Sequence, residues 1–237
     1  MEVKKINNLL ELFYKQYEKQ NKKDIFLQSL KESKEKYSWE EVYKNIIKLS
    51  EEISKYIKKG DRCLLISENR PEWMIADLSI MLSGGITVPA YTTYTERDYE
   101  YIIDDCTPTL VIVSDDVQYE KIKNIIPKKK FINQLIVFDE LQHVNTKLIL
   151  KVKDIFKQET FNKKIFFNLE IQRKDIACII YTSGTQGNPK GVMLSHGGII
   201  SNCEGAYNPV SYTHLRAHET LMNLVCRLLL EKTPTGR

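Results

Sequence analysis

The sequence predicts an α/β fold, with mostly parallel sheet layers covered by helices. Short continuous apolar runs at 63–66, 86–91, 110–113, 135–138 and 176–180 alternate with segments whose apolar residues recur at helical spacing. Strands buried on both faces read as such runs because neither face can carry polar side chains, and the crossover helices supply the cover. A glycine-rich stretch directly follows the last run, and open α/β sheets place ligands at the carboxyl ends of their strands.

Each element has its own local signal. Ser38, with Glu41 three residues on, forms a capping box, and Tyr43, Ile46, Ile47, Ile53, Tyr56 and Ile57 follow at helical spacing toward Gly60. A strand over 63–66 comes next. Pro71 suits the first turn of a second helix, where its missing N–H is no loss, and Trp73, Ala76, Leu78, Ile80 and Met81 make that helix apolar on more than one side. Gly84 and Gly85 end it before the strand at 86–91. Thr95 caps a helix carrying Tyr99, Ile102 and Ile103, which leads to the strand at 110–113. A further helix is expected near Ile122, Ile125 and Ile126, ahead of the strand at 135–138. Residues 140–172 carry no clear period. The strand at 176–180 enters the glycine-rich stretch, and His196 is expected to open the next helix in a structural role.

Composition excludes several classes. At 237 residues, with 42% apolar and 28% charged residues, the chain can bury a large core and is not wholly disordered. No window holds eighteen uncharged apolar residues, and Asn7, Asn8 and Glu11 interrupt any secretory leader after Lys4 and Lys5. The five cysteines, Cys63, Cys106, Cys178, Cys203 and Cys226, show no C-x-x-C spacing, which points to reduced, buried thiols in a cytoplasmic protein. The net charge of +4 comes from lysines dispersed among acids, and only Lys128, Lys129 and Lys130 form a run. Without aromatic residues interleaved among basic ones, no nucleic-acid partner is expected.

Residues 181–192 read Y-T-S-G-T-Q-G-N-P-K-G-V. Gly184, Gly187 and Gly191 let the backbone turn where a Cβ would clash, so that several N–H groups can point into one concavity and hold an anion. Thr182, Ser183 and Thr185 add hydroxyl donors, Gln186 an amide, and Lys190 a mobile positive charge. The spacing is not that of a Walker A loop, since no Ser or Thr follows the lysine.

The stretch resembles the signature loop of the adenylate-forming superfamily of acyl-CoA synthetases, luciferases and peptide-synthetase adenylation domains, whose usual form is T-S-G-T-T-G-x-P-K-G-V. Gln186 departs from it, standing where the family has a second Thr or Ser, which lowers the affinity expected for ATP. A second block, with N-R-P-E-W at 69–73 and G-x-x-x-V-P-x-Y-x-T following it, resembles the long-chain fatty-acid CoA ligase branch and serves mainly as scaffold. The resemblance implies the N-terminal part of a large adenylation domain and a two-step reaction. A fatty-acid carboxylate and ATP form acyl-adenylate and pyrophosphate, and CoA then forms the thioester. It implies ATP, Mg²⁺ and CoA as cofactors. It assigns Lys190 as the catalytic residue and Thr182, Ser183, Gly184, Thr185, Gln186, Gly187 and Lys190 to nucleotide binding, chiefly to the β- and γ-phosphates. The fatty acid, ATP and CoA are the expected small-molecule partners, and peripheral membrane contact stays open for a longer parent. Medium-chain or aryl acid ligases, and a non-catalytic nucleotide-binding fragment, stay open as alternatives.

The resemblance covers residues 8–208. Residues 1–208 contain 27 isoleucines and the last 29 none, while lysine outnumbers arginine 27 to 4 before the break and trails it 1 to 3 after it. The run S-Y-T-H-L-R-A-H-E-T at 211–220 looks like translated sequencing-adapter read-through, so residues 209–237 are expected to be a non-native tail. His214 and His218 sit four apart there but lack a third ligand, and no metal site is expected. Residues 1–208 are then the front portion of an adenylation domain, expected to be inactive alone, since the family's acyl pocket, magnesium-binding acid, ribose-binding aspartate and C-terminal lysine do not appear.

Overall fold

The computed structural model describes residues 6–29, 35–142, 149–162, 170–182 and 189–207. Ser183, Gly184, Thr185, Gln186 and Gly187 lie outside the described residues, as does the tail from Pro209 with His214, His218 and Cys226.

A seven-stranded sheet organises the fold. Its order is β7 (Ile149–Lys151), β6 (Gln134–Val137), β5 (Leu110–Val113), β3 (Arg62–Ile66), β4 (Ile86–Ala90), β8 (Ile176–Thr182), β9 (Lys190–Ser195). All neighbours run parallel except β8 and β9, which form an antiparallel hairpin. The expected mostly parallel α/β sheet is therefore present. A separate two-stranded antiparallel sheet, β1 (Ile25–Gln28) with β2 (Lys36–Ser38), accompanies it.

Local signals set the helices. Ser38 and Glu41 cap α2 (Trp39–Ile53) reciprocally, and Thr95 with Asp98 does the same for α4 (Glu96–Cys106). Pro71 opens α3 (Pro71–Leu82), all twelve residues of which are buried, and Gly84 leaves it at φ +80°, a conformation open to glycine. Helix α3 packs between the sheet and α2, while α4 covers a second apolar cluster on Leu64, Val88, Val111 and Val137. Alternate residues of β3 and β5 thus feed the two clusters, as strands buried on both faces must.

Two expectations need correction. The helix beginning at Trp39 ends at Ile53 instead of running on toward Gly60; Ile57 is still buried, in the turn that follows, against the Cα side of Gly85. No long helix forms near Ile122, Ile125 and Ile126. A five-residue α5 (Asp116–Glu120), capped by Asp115, gives way to turns and a short 3₁₀ segment over Ile126–Lys128, where Pro127 cannot donate a backbone hydrogen bond. Ile122 and Ile125 are buried by those turns all the same.

Helix α1 (Leu9–Lys19), capped by Asn8, and α6 (Val152–Phe156) complete the cover beside α2. Helix α7 (His196–Tyr207) starts at His196 as expected. The four described cysteines are buried, as the sequence leads one to expect. Among the described residues no helix is long and apolar enough to cross a membrane.

Candidate functional site

Strand β8 climbs from the core to the surface. Ala177 and Cys178 are fully buried, Tyr181 is 2% exposed, and Thr182 stands in solvent. Strand β9 returns antiparallel, pairing Lys190 with Thr182 and Gly191 with Tyr181. Thr182 and Lys190 are therefore brought together across the mouth of the connection 183–189, at the carboxyl end of β8. The side chain of Lys190 is exposed and forms no ion pair with a described residue. A cationic amine and a hydroxyl held side by side at a strand end suit an anionic ligand.

Gly191 plays a different part from the one expected. It is a strand residue, outside the left-handed region, so it makes no turn. A Cβ there would come within 2.9 Å of Ile179 Cγ2 and 3.2 Å of Tyr181 Cζ, so the missing side chain makes room for the Tyr181 ring.

Tyr181 is tied further, by contacts that carry no motif in the sequence. Its hydroxyl donates to Asp105 Oδ2 at 2.5 Å, and its carbonyl accepts from the Tyr94 hydroxyl at 3.3 Å. Burial, then the Asp105 hydrogen bond, raise the Tyr181 phenol well above its ordinary value, so it remains a donor. Tyr94 and Asp105 lie 76 or more residues before Tyr181 in the chain, and only the sheet order, with β4 beside β8, makes them neighbours.

His196 lies at the other end of β9 and is 2% exposed. Its Nδ1 accepts from the Leu9 backbone N–H at 3.4 Å, which satisfies an orphan donor in the first turn of α1. Burial pushes the imidazole down to about 4, against a smaller opposing effect of Asp175, so it is neutral near pH 7. Its place is structural. A cavity of 410 Å³ lined by Lys59, Lys174, Asp175 and His196 opens there, beside the first residues of β4 and β8 and so away from Thr182 and Lys190.

The AMP-binding enzyme family matches residues 13–225 of the chain, a span that contains the whole sheet and the Thr182–Lys190 mouth. The chain belongs to this family. Similar proteins include the long chain acyl-CoA synthetase 3 of Arabidopsis thaliana, 31% identical over 181 residues, covering 72% of this chain and 27% of the relative. The long-chain-fatty-acid–CoA ligase ACSBG1 of Rattus norvegicus is 27% identical over 175 residues, covering 70% and 24%. The chain thus spans about a quarter of the length of these curated relatives. Among solved structures, the anthranilate CoA ligase AuaEII in complex with anthranoyl-AMP superposes with a TM-score of 0.72 at 20% identity, over 83% of this chain and 36% of that one. A red-emitting luciferase from Phrixothrix hirtus gives 0.72 at 20% identity, over 93% and 44%. At such identity the likeness establishes the AMP-binding fold, which agrees with the expected superfamily.

Proposed function

We propose that this chain supplies the phosphate-binding portion of an AMP-forming acid–thiol ligase that joins long-chain fatty acids to CoA. The observation that carries the reading is the Thr182–Lys190 pair at the carboxyl end of β8, flanking a connection rich in glycine and hydroxyl residues in a member of the AMP-binding family. The names of the relatives and the N-R-P-E-W block support the long-chain acyl substrate.

In this reading a carboxylate oxygen of the fatty acid attacks the α-phosphorus of ATP. The bond from that phosphorus to the bridging oxygen breaks and pyrophosphate leaves. The CoA thiolate then attacks the acyl carbon and releases AMP. Lys190 neutralises charge that builds on the leaving pyrophosphate, and Thr182, Ser183, Gly184, Thr185, Gln186 and Gly187 donate hydrogen bonds to its oxygens. Of these only Thr182 and Lys190 are described residues. Among the described residues no group of three or more His, Cys, Asp or Glu could hold a metal, and the Mg²⁺ that such chemistry uses would be held chiefly by the nucleotide phosphates. The reading includes a cytoplasmic location, supported by four buried thiols.

Palmitate-dependent release of pyrophosphate from ATP tests the activity. A longer protein containing this chain is expected to release it and then form palmitoyl-CoA. Pyrophosphate release unaffected by any fatty acid, or palmitoyl transfer without AMP formation, would overturn the assignment.

A further inference from the structure

Thr182 and Lys190 form the last pair of a hairpin whose outer strand, β9, is the sheet edge among the described residues. Such a pair frays unless something holds it, and a frayed site must be ordered by its ligand at a cost in affinity. Tyr181 stands one residue before that pair and is fixed in three ways. Its ring fills the space left by Gly191 on the facing strand. Its hydroxyl donates to Asp105 at 2.5 Å, and its carbonyl accepts from Tyr94 at 3.3 Å. The two partners flank one helix: Tyr94 precedes α4 and Asp105 lies in its last turn.

That last turn is itself anchored. Arg62, at the start of β3, donates from Nε to the Cys106 carbonyl at 2.8 Å and from Nη2 to Thr107 Oγ1 at 2.8 Å. Thr107 takes φ +43°, a left-handed conformation uncommon for a β-branched residue and held here by the Arg62 contacts. Asp105 thus sits on a turn bolted to the centre of the sheet.

We propose that Tyr181 is a positioning residue that pins the hairpin mouth to α4 through Asp105 and Tyr94, so that Thr182 and Lys190 are set for phosphate before the nucleotide arrives. The inference rests on the phosphate-binding reading above and adds residues outside the glycine-rich motif. Tyr181→Phe keeps the ring over Gly191 and removes the hydroxyl's link to Asp105, together with its contact with the Cys106 thiol. Asp105→Ala removes the same link from the other side, whereas Asp105→Asn keeps an acceptor oxygen.

The test is ATP affinity of the 237-residue chain by calorimetry, together with hydrogen exchange at the Thr182 and Lys190 amides and at the core amides of Leu65 and Ile112. Tyr181→Phe and Asp105→Ala are each expected to weaken ATP binding roughly fivefold, about the worth of one hydrogen bond, and to speed exchange at Thr182 and Lys190 alone. Asp105→Asn is expected to restore both. ATP affinity within about twofold of wild type in both variants, or exchange accelerated equally at Leu65 and Ile112, overturns the proposal. If the wild-type chain binds no ATP while Tyr181→Phe still loosens Thr182 and Lys190 selectively, the pin stands and the phosphate assignment falls.

Discussion

Arg70 grips Asp139 with both terminal nitrogens, Nη1 to Oδ2 at 2.8 Å and Nη2 to Oδ1 at 3.2 Å. Its Nε donates to Glu72 at 2.7 Å, and Tyr37 donates to the same carboxylate at 2.8 Å. One guanidinium therefore joins the chain leaving β3, the first turn of α3, the end of β6 and strand β2. The planar fork explains why arginine, and not lysine, fits here. Replacing it leaves Glu72, 4% exposed, as a buried charge without its cation. Arg70→Leu is expected to cost about 3 kcal/mol in urea denaturation, and Arg70→Lys less. A loss below about 1 kcal/mol for Arg70→Leu would show that the cluster contributes little to the fold.

The same cluster sets a pH dependence. Burial alone would raise the carboxyls of Glu72 and Asp139, yet Arg70, helped by Glu35 and Tyr37 at Glu72 and by Lys153 at Asp139, holds both below the ordinary range. A carboxyl depressed in the folded state contributes stability that is present above its unfolded pKa, about 4, and is lost as pH falls through the folded value. Glu35, raised by burial and then by its hydrogen bond to Glu72, works in the opposite sense: its contribution is present below the unfolded value and lost as pH rises through the folded one. Acid unfolding followed by circular dichroism is expected below about pH 4, and in Arg70→Leu its midpoint should move upward. An unmoved midpoint would contradict the role of Arg70.

Asp77 lies fully buried in α3, and its Oδ1 has no hydrogen-bond partner among the described residues. Burial pushes its carboxyl up to about 7. The unfolded chain therefore ionises at lower pH than the folded one, and this group's contribution, complete below about pH 4, is lost as pH rises through the folded value. Asp77→Asn cannot ionise, so it should remove that fall and stabilise the chain at pH 8 by on the order of 3 kcal/mol relative to the difference seen at pH 4. Urea midpoints of both proteins at the two pH values check this. Parallel behaviour of the two would mean that Asp77 is solvated in the native state.

What the sequence made legible was whatever is local. The capping residues Ser38, Thr95 and Pro71, and the runs at Leu64, Val111 and Ile136, are read from a few neighbours and recur in the structure. Ile122, Ile125 and Ile126 misled because helical spacing also fits stacked turns, and Pro127 settles which forms. Helix α1 was hidden in the open: Asn8, whose polarity argues against a leader, accepts from Glu11 N and caps that helix. The hairpin return at β9 was less legible still, since Val192 and Met193 face solvent at 45% and 66% exposure and show no buried-strand pattern. At the site, the glycine-rich motif located Thr182 and Lys190, but Tyr94 and Asp105 become partners of Tyr181 only through the crossover that sets β4 beside β8.

Nucleotide phosphate is expected to bind at the mouth formed by Thr182 and Lys190. Backbone amide signals of the chain, followed by NMR during an ATP titration, report this binding residue by residue, with Lys190→Ala as the control. Shifts centred on Thr182, Lys190 and Gly191 are expected, with roughly tenfold weaker binding in Lys190→Ala, equivalent to about 1.4 kcal/mol. Shifts centred instead on Lys59, Lys174 and His196 around the cavity at the opposite end of the strands, with Lys190→Ala titrating like wild type, would contradict it.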